Sequence, residues 1–243
     1  EGGAHQSTIT ASVGLELPNI TLIEPAYGVV LDWMLRDAFS RIAGSAHEQQ
    51  TAGPYDDGAY YFRLTTRPLD QAPFEAARER VGDTVLRRAV LAGGYRLIDA
   101  ASFDLPPDAP KVHLVGTGAV MPEVLAAASE LADEGIAPNV VDVTSLDRLY
   151  KAWQRTIRQG VRTATAPSIP GALRMCFPDR APIVTVHDAS SHAMAWLGSA
   201  VGMPAVSLGV DSFGQSGTVH DLYAAHDLDA GSIVNGALAA LSL

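Results

Sequence analysis

The sequence predicts an α/β protein in which parallel sheets are covered by helices. Short apolar runs typical of buried strands alternate with segments of helical periodicity, and this alternation recurs in two blocks separated by a longer excursion. The composition, 47% hydrophobic and 18% charged over 243 residues, provides for one large core or two modest ones. We therefore expect parallel-sheet domains of three layers.

The first block contains two strand signals. Asn19–Ile23 follows Pro18 as a buried apolar run, and Tyr60–Leu64 is the next such run. A short helix is expected over Ser7–Leu17 and a longer one over Tyr27–Ile42, where apolar residues recur at helical intervals. The polar stretch Ala46–Gly58 predicts a surface loop.

A helical bridge should follow the first block, which ends at Pro68–Pro73. Phe74–Leu91 has helical spacing, and Ala92-Gly93-Gly94 supplies the glycines that suit a left-handed helix end. The predicted organisation is therefore a first domain over residues 1–70, a bridge over 71–109 and a second domain over 110–243.

The second block repeats the alternation and contains a long insertion, Leu146–Pro182. Apolar and aromatic residues recur at helical intervals in its first half, which predicts a helix there. The other elements expected in this block are strands at Lys111–Val115, Val140–Val143, Ile183–Val186 and Ala205–Leu208, and helices at Pro122–Glu134, Ser191–Val201, Val219–His226 and Ala230–Leu241.

Charge and cysteine content narrow the class of protein. A net charge of -10 argues against nucleic-acid and anionic-membrane partners, and the loose basic cluster Lys151–Arg162 is interpreted as a solvated helix face. The single cysteine, Cys176, is expected to be buried and fits a reducing compartment. No apolar run reaches the ~18 residues of a membrane helix, so we expect a cytoplasmic protein. The start at Glu1, without Met, suggests a trimmed beginning.

Four motifs occur in a characteristic order. They are Glu1-Gly2-Gly3-Ala4-His5-Gln6, then Leu17–Ala26 with its Pro-Asn, strand and Pro-Ala run, then Phe62–Pro68, and finally Gly209–Gly217. Together they resemble the transketolase superfamily. The Val143-Thr144-Ser145 strand end and the insertion after it more closely resemble the homodimeric pyruvate dehydrogenase first component. The His-Gln opening, by contrast, resembles that of transketolase itself. Because these motifs resemble two different enzymes of the superfamily, they do not identify the substrate.

The resemblance implies a fold and a chemistry. Residues 1–70 would be the C-terminal portion of a pyrimidine-binding domain, and 110–243 a transketolase C-terminal-like domain. The implied enzyme uses thiamine diphosphate and Mg²⁺ to cleave a bond next to a ketone, as a 2-oxoacid dehydrogenase or decarboxylase first component or as one subunit of a two-component transketolase. The sequence contains no Gly-Asp-Gly motif of the kind that holds Mg²⁺ and diphosphate in that family. A companion chain or segment is therefore expected to supply it, in a hetero-oligomer or dimer, with a lipoyl domain as one candidate acceptor.

The resemblance also indicates site residues. His5 is the candidate proton donor or acceptor, because imidazole exchanges protons near neutral pH and the preceding glycines permit a tight turn; the alternative is a solvated histidine. Gln6 and Arg67 are candidate substrate-binding residues. Arg67 follows a strand end and suits an anion, although a surface pair with Asp70 is the other interpretation. No metal ligand is assigned.

Several further residues favour structural interpretations. Arg63, inside a strand, suggests an ion pair. His113 is expected to be a core or edge histidine. The corner with His187, Asp188, Ser190, Ser191 and His192 suggests a helix cap beside a surface or interface histidine.

Three other classes of protein have partial support in the sequence. A dinucleotide site at Val115-Gly116-Thr117-Gly118 lacks its third glycine, since Met121 stands there, and Asp142 is only loosely positioned as the acidic partner. A hydrolase is disfavoured because Gly214–Gly217 is one residue short of the nucleophile-elbow spacing. A non-catalytic dimerisation or assembly module is the third class.

Overall fold

A computed structural model describes residues 7, 9–44 and 59–243, and these form two sheets. The smaller sheet has two parallel strands, β1 (Ile20–Ile23) and β2 (Ala59–Phe62). Helices α1 (Val13–Glu16) and α2 (Gly28–Ile42) flank β1 in the chain. His5, Gln6 and the predicted loop at 46–58 lie outside the described residues.

The larger sheet has five strands in the order β3-β5-β4-β6-β7. All its neighbouring pairs are parallel except β3–β5, which is antiparallel. Its strands are β3 (Gly94–Ile98), β4 (Lys111–Gly116), β5 (Ala137–Val143), β6 (Ile183–Val186) and β7 (Ala205–Leu208). The remaining helices are α3 (Ala72–Val81), α4 (Asp83–Ala92), α5 (Met121–Asp133), α6 (Leu146–Thr163), α7 (Gly171–Cys176), α8 (His192–Val201), α9 (Val219–Ala225) and α10 (Ala230–Leu241).

Helices cover both faces of this sheet. Strand β6 illustrates the arrangement, because Val184 packs in a core shared with α5 and α10, whereas the adjacent Ile183 packs in a second core with α7 and α8. Successive side chains of a strand point to opposite faces, so a sheet buried on both sides is apolar along its whole length. The predicted α/β class with a mostly parallel sheet is confirmed.

The predicted bridge differs from expectation in two ways. The single helix expected over Phe74–Leu91 is divided into α3 and α4 at Gly82, whose φ of 82° interrupts the helix. Strand β3 was not predicted; it follows Gly93 and pairs with β5. Gly93 has a φ of 114°, and a Cβ there would lie 2.6 Å from the Ser145 carbonyl oxygen, so the tight turn into β3 requires glycine.

Buried polar contacts join the two sheets at the carboxyl ends of β1 and β5. The Ser145 hydroxyl donates to the Leu22 carbonyl at 2.7 Å, and the Asp147 carboxylate accepts from the Leu22 amide at 3.2 Å. The Glu24 amide donates to the Thr144 carbonyl at 3.0 Å, and the Thr117 hydroxyl lies within hydrogen-bond distance of the Val143 and Glu24 carbonyl oxygens, at 2.6 and 3.1 Å. These bonds fix the residue after β1 against the larger sheet.

The glycine turn after β4 packs against a helix. A Cβ on Gly116 would lie 2.9 Å from Val124 and 3.0 Å from Met121, so α5 already occupies the space beside this backbone. Close packing against α5 therefore explains why a glycine stands at position 116, and no bound dinucleotide is needed to explain it. Among the described residues, no helix is both long and apolar enough to cross a membrane.

Candidate functional site

A cleft of about 510 Å³ lies where strand ends of the two sheets meet. Glu24 directly follows β1, Arg63 directly follows β2, and Asp188 lies two residues beyond β6; all three line the cleft. Parallel α/β sheets commonly bind ligands beyond the carboxyl ends of their strands. The rest of the lining includes Ser7 and Thr10 near the N-terminus, Gln215 in the loop after β7, and Leu222, Tyr223 and His226 around α9.

Arg63 connects the two sheets through an ion cluster. Its Nη1 lies 2.6 Å from Glu24 Oε1 and 2.6 Å from Asp188 Oδ1, and its Nη2 donates to the Asp188 carbonyl oxygen at 3.2 Å. On the other side of Glu24, His187 Nε2 lies 3.1 Å from Oε2. The structural ion pair predicted for Arg63 is confirmed, and it spans both sheets.

The charges in this cluster stabilise one another. Burial alone would raise the pKa of Glu24, but His187 and Arg63 outweigh it, and the pKa of Glu24 is lowered. Burial alone would lower the pKa of Arg63, whereas Glu24 and Asp188 raise it above its ordinary value. Both groups are therefore ionised at neutral pH.

The same carboxylates and imidazole have a spacing suited to a metal ion, since ligand atoms of Glu24, His187 and Asp188 all lie within 4.8 Å of one another. Arg63, however, already donates to both carboxylates at 2.6 Å. Its guanidinium supplies the positive charge that a metal ion would bring, so the cluster is satisfied by the protein itself.

Arg67 forms a second bridge between the sheets. Its guanidinium makes two bonds to the Glu123 carboxylate of α5, at 2.7 and 2.8 Å, and a third to the Ala119 carbonyl at 3.1 Å. The carbon of the guanidinium also lies 5.8 Å from the centre of the Tyr223 ring. The alternative interpretation, a surface pair with Asp70, is wrong in its partner, because Arg67 pairs with Glu123. The anion-binding role stays a prediction.

His187 also differs from the sequence-based prediction. It was expected at a helix cap or near the surface, yet it is only 1% exposed and contacts Glu24. The neighbouring Ser190 and Ser191 hydroxyls and the Ser191 amide donate to Asp211, at 2.9, 2.6 and 2.9 Å, so Asp211 holds the two residues that precede α8. The sequence signal for His187 and Glu24 was their position directly after buried strands.

Two other predictions concerned single buried residues. Cys176 is fully buried and burial raises the pKa of its thiol to about 12, as expected of an inert core cysteine. His113 is buried in β4, and its Nε2 lies 3.1 Å from the Asp179 carbonyl oxygen. Neither residue lines the cleft.

Comparison with known proteins relates most of the chain to one family. The family model described as the transketolase-like TK C-terminal domain matches residues 93–229. A plasmid-encoded transketolase of Cupriavidus necator is 30% identical over 141 residues, which are 58% of this chain and 17% of that protein. The 6-deoxy-6-sulfo-D-fructose transketolase subunit SqwH of Clostridium sp. is 27% identical, over 97% of this chain and 59% of that subunit. The pyruvate dehydrogenase E1 component of Escherichia coli K12 is 26% identical, over 100% of this chain and 25% of that protein.

Solved structures show the same fold. A split-gene transketolase, described as an inactive β4 tetramer, has a TM-score of 0.55 at 21% identity, covering 98% of this chain and 63% of that one. A transketolase from Pichia stipitis has a TM-score of 0.62 at 19% identity, covering 99% of this chain and 28% of that one. The chain thus spans between 17% and 59% of the length of the curated relatives described above.

Proposed function

Because the chain belongs to the family defined by the transketolase-like C-terminal domain, we propose that it forms one part of a thiamine-diphosphate-dependent enzyme. In this proposal the two-stranded sheet is the end of a pyrimidine-binding domain and the five-stranded sheet is the C-terminal domain. A companion chain or segment completes the catalytic site. The reaction is cleavage of a bond next to a ketone.

The observation that carries the proposal is the cleft between the two sheets. Ser7 lines it, and His5 precedes Ser7 by two residues in the sequence. That closeness in the chain supports a role for His5 at the cleft, as its proton donor or acceptor. Gln6 and Arg67 would bind substrate beside it. Arg67 would give up one of its two hydrogen bonds to Glu123 and donate instead to an anionic group of the substrate.

The residues present do not fit the Mg²⁺-diphosphate end of the cofactor. The sequence has no Gly-Asp-Gly motif, and the carboxylates of Glu24 and Asp188 are already paired with Arg63. When bound, thiamine diphosphate supplies the electron sink for the reaction. This chain would supply one wall of the cleft and the rigid ion pairs that hold it in position.

Two substrate classes are compatible with the family. The match of the whole chain to a quarter of pyruvate dehydrogenase E1 and the Val143-Thr144-Ser145 strand end favour decarboxylation of a 2-oxoacid with transfer of the acyl unit, for which a lipoyl domain is one acceptor. The match to the SqwH subunit and the fold of the split-gene transketolase favour ketol transfer by a two-component enzyme. Release of CO₂ from a 2-oxoacid, or consumption of a ketose and an aldose acceptor, would distinguish them.

The proposal is tested by purifying the chain with its companion and replacing His5. The companion should be identified by intact mass spectrometry of the co-purified material. We expect His5→Ala to lower turnover of the reconstituted complex at least tenfold with no change in complex formation, because a positioned acid or base contributes on the order of a hundredfold or more. His220→Ala is the matched control, since this histidine is 92% exposed and does not line the cleft.

Each contrary result has a distinct meaning. Wild-type turnover in the His5→Ala complex would remove His5 from the mechanism. The complex with the companion could also form and yet catalyse neither 2-oxoacid decarboxylation nor ketol transfer with any substrate tested. That result would indicate an assembly module and overturn the catalytic proposal.

A further inference from the structure

Glu123 is an acidic residue beside the arginine to which the proposed function assigns the substrate anion. It lies in the first turn of α5, and its two carboxylate oxygens accept hydrogen bonds from the Arg67 guanidinium at 2.7 and 2.8 Å. Arg67 lines the cleft and Glu123 does not, so the carboxylate contacts the arginine from outside the cleft wall. The positive charge of Arg67 is therefore compensated before any ligand binds.

The contacts of Arg67 limit how it can receive an anion. Its Nη1 donates to Glu123 and to the Ala119 carbonyl oxygen, the latter at 3.1 Å, and its Nη2 donates to Glu123. Each terminal nitrogen of the guanidinium thus has an acceptor already. An anion that binds Arg67 shares the guanidinium with Glu123 and lies close to its carboxylate.

The described charges around the cleft include more acidic than basic side chains. Glu24 and Asp188 line the cleft together with Arg63 and Arg67, and Glu123 adds a third carboxylate through its contact with Arg67. Among the described Asp, Glu, Lys and Arg side chains that line the cleft, both arginines are paired with carboxylates. A second negative charge on a ligand would therefore find no uncompensated arginine or lysine among these residues.

The hydroxyl group of Tyr223 experiences this excess of negative charge. Tyr223 lines the cleft, and its ring centre lies 5.8 Å from the guanidinium carbon of Arg67. Burial raises the pKa of Tyr223, the charges of Asp188 and Glu123 raise it further, and Arg67 opposes the rise without cancelling it. Added negative charge is thus unfavourable at this end of the cleft.

We propose that Glu123 sets the charge of the substrate, admitting a singly charged group such as a carboxylate and excluding a phosphate ester. Resting on the proposed function, this role narrows the substrate class to compounds without a phosphate. One guanidinium can hold two carboxylates here, because Arg63 holds those of Glu24 and Asp188. A phosphate ester brings about two negative charges near neutral pH, so Glu123 repels it about twice as strongly as a carboxylate at the same distance.

The first test uses the intact chain without a companion. Ethyl phosphate and propanoate are titrated separately at pH 8, and binding is followed by NMR shifts of the amide groups near Arg67. We expect Glu123→Gln to lower the Kd of ethyl phosphate relative to that of propanoate at least tenfold, because the removed charge repels the doubly charged ligand more. Glu123→Asp keeps the charge and should retain the wild-type ratio.

The matched control is Glu130→Gln, which removes the same charge from an exposed position of the same helix. It should change the ratio of the two dissociation constants less than twofold. Circular dichroism checks that each variant is folded. The wild-type chain is informative by itself, since it should bind ethyl phosphate no more tightly than propanoate in spite of the larger charge of the phosphate.

The second test uses the complex with its companion. Glu123→Gln should raise kcat/KM for fructose 6-phosphate relative to that for pyruvate at least tenfold, and Glu130→Gln should leave this ratio unchanged. A complex that turns over neither compound, nor any other substrate of these two classes, would contradict the catalytic proposal. The titrations of the intact chain would still decide whether Glu123 excludes phosphate.

Three results would overturn the role of Glu123. The wild-type chain could bind ethyl phosphate at least tenfold more tightly than propanoate, which would show that the cleft accepts a phosphate. The Glu130→Gln control could give the same gain as Glu123→Gln, which would show a general effect of net charge. Glu123→Asp could behave like Glu123→Gln, which would show that the shape of the side chain matters and its charge does not.

Discussion

Two buried carboxyl groups near neighbouring strand ends have opposite electrostatics. Glu24, directly after β1, is 3% exposed, and Asp142, near the end of β5, is 0% exposed. Glu24 contacts Arg63 and His187, and the pKa of its carboxyl group is lowered although burial alone would raise it. Glu24 therefore keeps its negative charge inside the protein.

Asp142 has no such partner. Among the described residues, neither of its carboxyl oxygens nor the Tyr95 hydroxyl has a hydrogen bond of good geometry. Burial raises the pKa of Asp142 to about 7, the charge of Glu24 adds to the rise, and the nearby Tyr95 hydroxyl opposes it. Asp142 is thus partly neutral at physiological pH.

The comparison shows that cationic partners, and not the degree of burial, decide which carboxyl group is charged. The paired group lies in the cleft between the sheets, where a fixed charge cluster joins them. The unpaired group lies within the larger sheet, where it reduces stability once it ionises. One substitution tests the account of the paired Glu24, and another tests the account of the unpaired Asp142.

Removing the cationic partner of Glu24 should have the larger effect. Arg63→Met leaves Glu24 and Asp188 facing each other without their shared guanidinium, and loss of one partner of a largely buried pair costs about 3 kcal/mol. Urea denaturation should show this decrease in the free energy of unfolding. In the matched control, Arg36→Met, the lost partner is the exposed Asp32, and little change is expected.

Equal effects of the two arginine substitutions would contradict the account of the cleft. The cluster would then be an ordinary surface contact, and Arg63 would not hold the sheets together.

Replacing Asp142 should have a smaller, pH-dependent effect. Its folded pKa of about 7 exceeds the value of 3.8 expected in the unfolded chain, so the folded state binds the extra proton between these values and stability falls as the pH rises through them. Asp142→Asn removes the ionisable group and with it this dependence of stability on pH. The difference in free energy of unfolding between variant and wild type should shift in favour of the variant by about 2.5 kcal/mol between pH 5 and pH 8.

The pH window separates this effect from that of Glu24. Because the pKa of Glu24 is lowered, its contribution is lost only as the pH falls below its unfolded value of 4.5. A variant-to-wild-type difference that stays constant from pH 5 to pH 8 would mean that Asp142 has no raised pKa.

Sequence periodicity predicted most of the regular elements. The expected β6 matches Ile183–Val186, and the helix expected over Tyr27–Ile42 is observed over Gly28–Ile42. Long apolar runs and amphipathic helices are determined by nearby residues, which is why they were predicted. The helix in the first half of the insertion is also confirmed, as α6.

Features that depend on residues far apart in the chain were not predicted. Strand β3 is short and its place at the sheet edge depends on β5, some 40 residues later. The pairing of Arg67 with Glu123 joins positions 56 residues apart, and that of His187 with Glu24 joins positions 163 apart. The sequence located these side chains at strand ends and could not determine which ends meet.

Calorimetric titration of thiamine diphosphate with Mg²⁺ into the isolated chain tests the central claim most directly. If the cleft needs a wall from a companion, the chain alone should show no binding at cofactor concentrations up to about a millimolar, and binding should appear when the companion is added. Micromolar binding by the chain alone, together with unaided turnover of a 2-oxoacid or a ketose, would contradict the account.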